Sequence, residues 1–202
     1  MSTLDLTDGA KEYWSKNFYG LQLSGLELSS TEFEACTFKN CDFSEAVFKR
    51  CNFIDCEFVG CNLSVVNLEY SKFSEVVFRD SKAIGVNWTL ATWPNMAFSS
   101  PIQFYKCIIN DSSFIGLTLQ DIVIEECKAH CVDFRDGDFR SANFTYSDLR
   151  ASLFGNTNLG GADFSEATDY DIDIHENDLK GARFSRFEAV RLLEFLEIEL
   201  VD

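Results

Sequence analysis

Two histidines and eight cysteines are the residues of this 202-residue chain that could carry metal or nucleophilic chemistry. The tightest group is Cys127-Lys128-Ala129-His130-Cys131, and thiols together with an imidazole can bind Zn²⁺ tetrahedrally. A histidine could also serve as general base for a neighbouring thiol or hydroxyl. Either chemistry requires these side chains to meet at one place, which depends on the elements that position them.

A period of five residues organises most of the chain. From Phe18 to Phe78 every fifth residue is Phe or Leu, and the residue two positions earlier is usually smaller. Five matches neither the helical period of about 3.6 nor the strand period of about 2, so the chain must turn at every repeat. If the large residue (position i) and the small one (position i−2) both point inward, stacked coils of very short strands bury a continuous core. The large residues of this first run are Phe18, Leu23, Leu28, Phe33, Phe38, Phe43, Phe48, Phe53, Phe58, Leu63, Leu68, Phe73 and Phe78.

A second run follows with a shifted phase. After Phe98 the next phased residue is Phe104, six positions on, which we interpret as the insertion of one residue. Pro94 and Pro101 lie in this stretch, as expected of a corner or bulge that needs no backbone N–H. The second run comprises Phe104, Ile109, Phe114, Leu119, Ile124, Ala129, Phe134, Phe139, Phe144, Leu149, Phe154, Leu159 and Phe164, and the pattern can be followed through Ile174, Leu179 and Phe184.

In this register the residues that could do chemistry do not converge. Cys127 points into the core, whereas His130 and Cys131 lie outside, and His175 lies outside with no thiol or hydroxyl placed beside it. These ligands could surround one ion only if the coil were broken. The sequence therefore predicts no enzyme, no metal site and no bound cofactor.

Most cysteines fit the core better than a disulfide framework. A buried free cysteine behaves as a small hydrophobic residue, so we interpret these thiols as reduced, which predicts a cytoplasmic protein. The cysteines at the inward i−2 position are Cys36, Cys41, Cys51, Cys56, Cys61, Cys107 and Cys127.

The formal net charge of −16 argues against direct binding to nucleic acid or to an anionic membrane. It favours a basic protein partner. Residues 1–100 hold 13 acids and 8 bases, and residues 101–202 hold 20 acids and 9 bases, so the second half is predicted to be the more anionic surface. The start has no signal-peptide pattern, and no apolar run approaches the ~20 residues of a membrane span.

Both ends depart from the repeat. At the N-terminus, Thr7 or Asp8 could cap a short helix through Lys11–Trp14. At the C-terminus, Ser185 and Glu188 form a capping-box pattern before an amphipathic helix, and an alternating segment after it suits a short strand.

The C-terminal tail is more apolar than the end of one coil can cover, which predicts a tail-to-tail homodimer. Its interface would comprise Phe187, Val190, Leu192, Leu193, Leu196, Ile198 and Leu200. The predicted organisation is an N-terminal cap at residues 1–15, a first repeat run at 16–98, a second run at 99–184 and a capping and dimerisation segment at 185–202.

The repeat units resemble those of a known family. Cys41-Asp42-Phe43, Ala142-Asn143-Phe144, Ser147-Asp148-Leu149 and Ala162-Asp163-Phe164 are similar to the Ala-(Asp/Asn)-(Leu/Phe) signature of pentapeptide repeat proteins. The resemblance implies an all-β fold, a right-handed quadrilateral β-helix with four pentapeptides per coil, with a short C-terminal helix and strand.

Within the family, the chain is similar over nearly its whole length to the Qnr quinolone-resistance and McbG immunity subgroup. That resemblance implies a DNA mimic that binds DNA gyrase or topoisomerase IV and protects the enzyme from quinolones or a microcin-like toxin. The single inserted residue is shorter than the projecting loops of many quinolone-protecting relatives. The alternative is a pentapeptide scaffold that binds another cytoplasmic protein.

The second run supplies the predicted contacts to the topoisomerase. An Asp at position i−1 also belongs to the repeat itself, so about half of the contacts are expected to be structural. The candidate residues are Asp133, Asp136, Asp138, Asp148, Asp163, Glu166, Asp169, Asp171 and Asp173.

Overall fold

Equivalent residues of successive coils lie in register, twenty positions apart. The computed structural model describes Leu6 and residues 9–94, 100–196, 198–199 and 201. Phe18 pairs with Phe38, and Phe38 with Phe58, in parallel ladders, so a regular coil contains four pentapeptides. The chain forms a right-handed quadrilateral β-helix of about eight turns, which confirms the predicted fold.

Short strands make up the ladders in the described part of the chain, and many repeats contribute only a single bridge. A 3₁₀ turn (Trp88–Leu90) follows the tenth strand, and a 3₁₀ helix (Glu188–Leu196) follows the last. The strands are β1 (Glu12–Trp14), β2 (Asn17–Tyr19), β3 (Glu27–Ser29), β4 (Glu32–Glu34), β5 (Thr37–Lys39), β6 (Val47–Lys49), β7 (Asn52–Ile54), β8 (Glu57–Val59), β9 (Lys72–Ser74), β10 (Val76–Arg79), β11 (Ile102–Tyr105), β12 (Val123–Glu125), β13 (Asp163–Phe164) and β14 (Arg183–Phe184).

Strands and bridges form four faces, which we number in chain order. The first face is the sheet β1-β4-β7-β9, continued by bridges as far as Asp178. The second face comprises the sheet β2-β5-β8-β10-β11-β12 and the pair β13-β14. The third consists of bridges from Gln22 to Thr168, and the fourth of β3-β6 and the bridges in register with it. The first and fourth faces are neighbours, because the last pentapeptide of one coil leads into the first of the next.

The large inward residues form stacks of buried side chains. All thirteen of the second run are buried, and in the first run Leu23, in the terminal first coil, is half-buried. Rings of one stack lie face to face, with the centroids of Phe38 and Phe58 4.6 Å apart. Trp88 is fully buried in the same core and stacks on Phe114 at 5.7 Å. Aromatic pairs of this kind contribute about 0.5–1.5 kcal/mol each beyond their burial.

Small polar residues at position i−2 satisfy backbone groups at the corners. The Ser147 hydroxyl donates to the Ile124 carbonyl at 2.7 Å and accepts from the Cys127 N–H at 2.9 Å. Ser71 and Ser81 bridge their neighbouring coils in the same way. An unpaired backbone group inside a protein costs free energy. The hydroxyl or thiol at such a corner therefore stabilises the contact between its own coil and the preceding one, because it pairs with backbone groups of the preceding coil.

The coil at the phase shift is longer by six residues, not by one. Val77 pairs with Gln103, 26 positions away, whereas Lys72 pairs with Thr92 at the usual twenty. The extra residues therefore lie after Thr92 and before Gln103. The phase changes by one because 26 is five pentapeptides plus one residue, so the shift was predicted correctly and the length of the insertion was wrong. Phe98 lies outside the described residues.

The repeat also departs from its pattern in the Asp-rich segment that follows Phe164. Tyr170 and Ile172 are buried in the core there, and Ile172 forms the bridge to Phe154. The predicted ladder residue Ile174 is only half-buried. Its assignment to the core stack is wrong because Ile172 takes the place beside Phe154.

The N-terminal cap helix predicted through Lys11–Trp14 is wrong. This segment forms β1, which pairs with β4. Tyr13 thereby extends the first-face stack, with its ring 5.1 Å from that of Phe33. Thr7 and Asp8 lie outside the described residues.

The C-terminal helix is present, but the predicted capping box is not formed. The Ser185 hydroxyl donates to Glu166 Oε1 at 2.8 Å, while Glu188 forms an ion pair with an arginine one turn later. Residues 198–199 form no strand, and Leu200 lies outside the described residues.

We predict that Ser147→Ala lowers the free energy of unfolding by about 1–3 kcal/mol, because it leaves a buried N–H and a buried C=O without their partner. Ser147→Cys should recover part of this loss, since the Cys127 thiol accepts a backbone N–H at an equivalent corner. Ser165→Ala, at an outward position, is the matched control and should change stability by less than about 0.5 kcal/mol. Urea unfolding measures all three, and equal stabilities of the two alanine variants would contradict the bridging role.

Candidate protein-binding surface

The net negative charge of the outward residues is concentrated on two neighbouring faces. The first and fourth faces together hold fifteen carboxylates and seven Lys or Arg side chains, whereas the second and third hold eleven and nine. We call the first set the anionic band, and it follows one edge of the rod over the described length. Its carboxylates are Glu12, Glu32, Glu34, Asp55, Glu75, Asp121, Asp138 and Asp178 on the first face and Glu27, Glu69, Asp133, Asp136, Asp171, Asp173 and Glu176 on the fourth.

Five of the nine predicted acidic contacts are part of the corners. Each accepts the backbone N–H of the residue two positions later, at 2.7 to 3.3 Å. This is the Asx-turn bond that makes Asp and Asn favourable at turns. Four of the five lie at position i−1, whereas Asp173 directly follows the core residue Ile172. A structural role for about half of the candidates was expected. The five are Asp133, Asp138, Asp148, Asp163 and Asp173.

Arginines neutralise much of the predicted acidic surface. Arg135 forms a bidentate pair with Asp133, at 2.9 and 2.8 Å, and its hydrogen bonds hold the pKa of that carboxyl below its usual value. Arg140 does the same for Asp138. A partner approaching these aspartates would meet a closed ion pair rather than a free carboxylate.

Asp169 joins the last coils to the C-terminal helix. Its carboxylate lies 2.7 Å from Arg191 and 3.1 Å from Arg150. The hydrogen bond from Arg191, followed by that from Arg150, lowers its pKa. Asp148 lies 2.7 Å from His130 Nε2.

Four of the nine predicted acidic contacts form no ion pair within the described residues. They are Asp136, Glu166, Asp171 and Asp173. Glu166 bonds to a serine, and Asp136 accepts from the Asn156 amide at 2.9 Å. Asp136 also borders a shallow, open depression of about 450 Å³, whose lining residues are Arg135, Asp136, Gly155, Asn156 and Glu176.

The cysteine and histidine group does not assemble into a metal site. Cys127 is buried, whereas Cys131 is exposed on the outside of the coil. Within the described residues, no three His, Cys, Asp or Glu side chains are grouped so as to hold a metal ion. The seven cysteines at position i−2 are buried and free. In the same part of the chain, no helix has the length and apolar character needed to cross a bilayer.

The predicted dimer residues divide into two groups. Leu192 packs against the core, and Leu193 is half-buried. Phe187 is 90% exposed, and Val190, Leu196 and Ile198 are also exposed. Because side chains three apart align in a 3₁₀ helix, residues 190, 193 and 196 form one apolar stripe, and we include in this stripe Phe187, which directly precedes the helix.

A regular coil, a stacked aromatic core and charged outward residues together define a β-helical repeat protein. The model of the pentapeptide repeat region matches residues 31–101 and 92–164. The chain belongs to the pentapeptide repeat family. Comparison with curated proteins gives no match.

Three solved structures are similar to this chain to different degrees. A trypsin-treated variant of QnrB1, a plasmid-mediated fluoroquinolone resistance protein, is 19% identical with a TM-score of 0.60, covering 94% of this chain and 100% of that one. A second trypsin-treated QnrB1 variant is 25% identical with a TM-score of 0.49, covering 95% and 92%. HetL, a pentapeptide repeat protein involved in heterocyst differentiation regulation from the cyanobacterium Nostoc sp. strain PCC 7120, is 16% identical with a TM-score of 0.38, covering 85% and 84%. At 19% identity the likeness to the first of these structures concerns the fold alone.

Acid should weaken the link between Asp169 and its two arginines. Since the pKa of Asp169 is lowered in the folded protein, its stabilising contribution is present above the unfolded pKa of about 3.9 and is lost as the pH falls through the lowered folded value. We predict that Asp169→Asn makes the fall of Tm shallower between about pH 5 and about pH 2. Asp136→Asn is the matched control, because Asp136 has a similar left-handed backbone (φ 58° against 56°) and bonds an amide instead of a guanidinium. The same acid dependence in both variants would contradict the role of the arginines.

Proposed function

We propose that this protein acts in the cytoplasm as a DNA mimic that binds DNA gyrase or topoisomerase IV and protects it from a poison, either a quinolone or a microcin-like toxin. The anionic band carries this proposal. It displays carboxylates on two adjacent faces of a stacked ladder, with coils about 4.8 Å apart. A DNA-binding surface is basic, so such a rod complements it, with an affinity that should fall as salt is added.

The length of the inserted segment supports including quinolones among the poisons. An insertion of one residue would be too short to form a projecting segment. The 26-residue coil holds six residues more than its neighbours. The similarity in fold to a fluoroquinolone resistance protein points in the same direction.

We predict that the purified protein restores gyrase supercoiling in the presence of ciprofloxacin and lowers the amount of trapped cleaved DNA. Titration with and without the drug, and with a purified microcin-like toxin in parallel, separates the two kinds of poison. Topoisomerase IV decatenation under the same conditions gives the preference between enzymes. Absence of binding, inhibition and rescue over a wide concentration range would favour the alternative, a scaffold for another cytoplasmic protein.

We also propose a homodimer through the apolar stripe of the tail. Phe187→Asp should convert the dimer to a monomer, because it places a charge on the most exposed apolar side chain of the stripe. Glu194→Gln is the control, as it changes a charged residue of the same helix without removing apolar area. Light scattering measures the mass, and an unchanged mass in Phe187→Asp would leave the tail as a cap of its own coil.

A further inference from the structure

The solvent side of the sheet β1-β4-β7-β9 carries an arrangement that stability alone does not favour. Parallel pairing places Glu12 beside Glu32 and Trp14 beside Glu34, and Ile54 follows Glu34 in the same column. Neighbouring strands are about 4.8 Å apart, so each of these side chains lies within reach of the next. We call these five outward residues the Trp14 face.

The carboxylates of the Trp14 face are not balanced by cations. Among the described residues, neither Glu12 nor Glu34 has an ion pair or a side-chain hydrogen bond, and Glu32 accepts only from one amide. On the second face, by contrast, Glu57 pairs with Arg79 at 3.0 Å. Like charges in directly paired positions destabilise a sheet. The carboxylates of the Trp14 face can therefore form ion pairs with a cationic partner without breaking an ion pair within the protein.

The apolar members of this face favour a protein as that partner. Trp14 is 69% exposed and Ile54 is 36% exposed, with Glu34 between them. Exposed tryptophans are frequent at the energetic centre of protein interfaces, and the indole ring is the best aromatic partner of a Lys or Arg cation. A guanidinium placed over Trp14 would have Glu12 on the same strand and Glu34 on the next as counter-ions.

We infer that the Trp14 face is the docking surface for an arginine-rich or lysine-rich segment of a protein. The inference rests on the proposed function for the identity of the partner, which is the basic DNA-binding surface of the topoisomerase. It locates the main contact in the first repeat run, away from Asp133 and Asp138, whose charges are already paired with arginines.

The first test does not depend on the topoisomerase. Octa-arginine is titrated at low salt while tryptophan fluorescence is recorded, and Trp14→Phe serves to isolate the Trp14 signal from that of the other two tryptophans. Octa-arginine should quench Trp14. The double variant Glu12→Gln/Glu34→Gln should weaken binding about tenfold, as it removes both counter-ions.

The control variant Asp80→Asn/Asp111→Asn removes the same charge from exposed corners of the second and third faces and should bind about as well as the wild type. Thermal unfolding should show the Glu12→Gln/Glu34→Gln variant to be at least as stable as the wild type, because like charges are removed. No binding of octa-arginine to the wild type, or equal binding to both double variants, would overturn the inference.

The second test uses gyrase and the same variants. If gyrase binds the wild type and the control but binds Glu12→Gln/Glu34→Gln about tenfold more weakly, the inference and the proposed function both stand. If gyrase binds every variant equally, the Trp14 face is not the contact, although the proposed function stands. If octa-arginine binds as expected while gyrase binds nothing, the face is a docking site for another basic protein and the proposed function fails.

Discussion

Each coil must place four large side chains inside at the same height, and this constraint fixes its length at twenty residues. A shorter or longer coil would move Phe and Leu out of their stacks, where rings such as Phe38 and Phe58 pack face to face. Extra residues are therefore confined to a corner, as in the coil in which Val77 pairs with Gln103. The same constraint leaves the outward residues free to vary, so the properties of the surface can differ from face to face while the core repeats.

The outward residues serve the fold as well as any partner. An aspartate at position i−1 closes its own turn, and in the second run an arginine two residues later often pairs with it, as Arg135 does with Asp133. Much of the formal negative charge is consequently already compensated within the coil. Carboxylates without such a partner, including those of the Trp14 face, are the ones that can pair with a basic surface at no cost in internal ion pairs.

The sequence was sufficient to predict the coil, because a five-residue period with Phe or Leu at one position permits few other architectures. The phase of the repeat could not by itself give the length of the insertion, since one and six inserted residues shift a five-residue pattern equally. Local rules also failed where tertiary contacts compete: Ser185 bonds Glu166 on the adjacent coil instead of capping its own helix, and Ile172 replaces Ile174 beside Phe154. The anionic band was missed because residues of one face are twenty apart, so a count over each half of the chain mixes all four faces.

Competition with DNA tests most directly whether the protein binds gyrase as a DNA mimic. A fluorescent duplex bound to gyrase is titrated with the protein, and direct binding of the protein to gyrase is measured over a range of salt concentrations. If the anionic outside of the rod occupies the DNA-binding surface, the protein displaces the duplex and its own affinity falls as salt screens the exposed charges. Simultaneous binding of protein and duplex, or an affinity that does not change with salt, would contradict the claim.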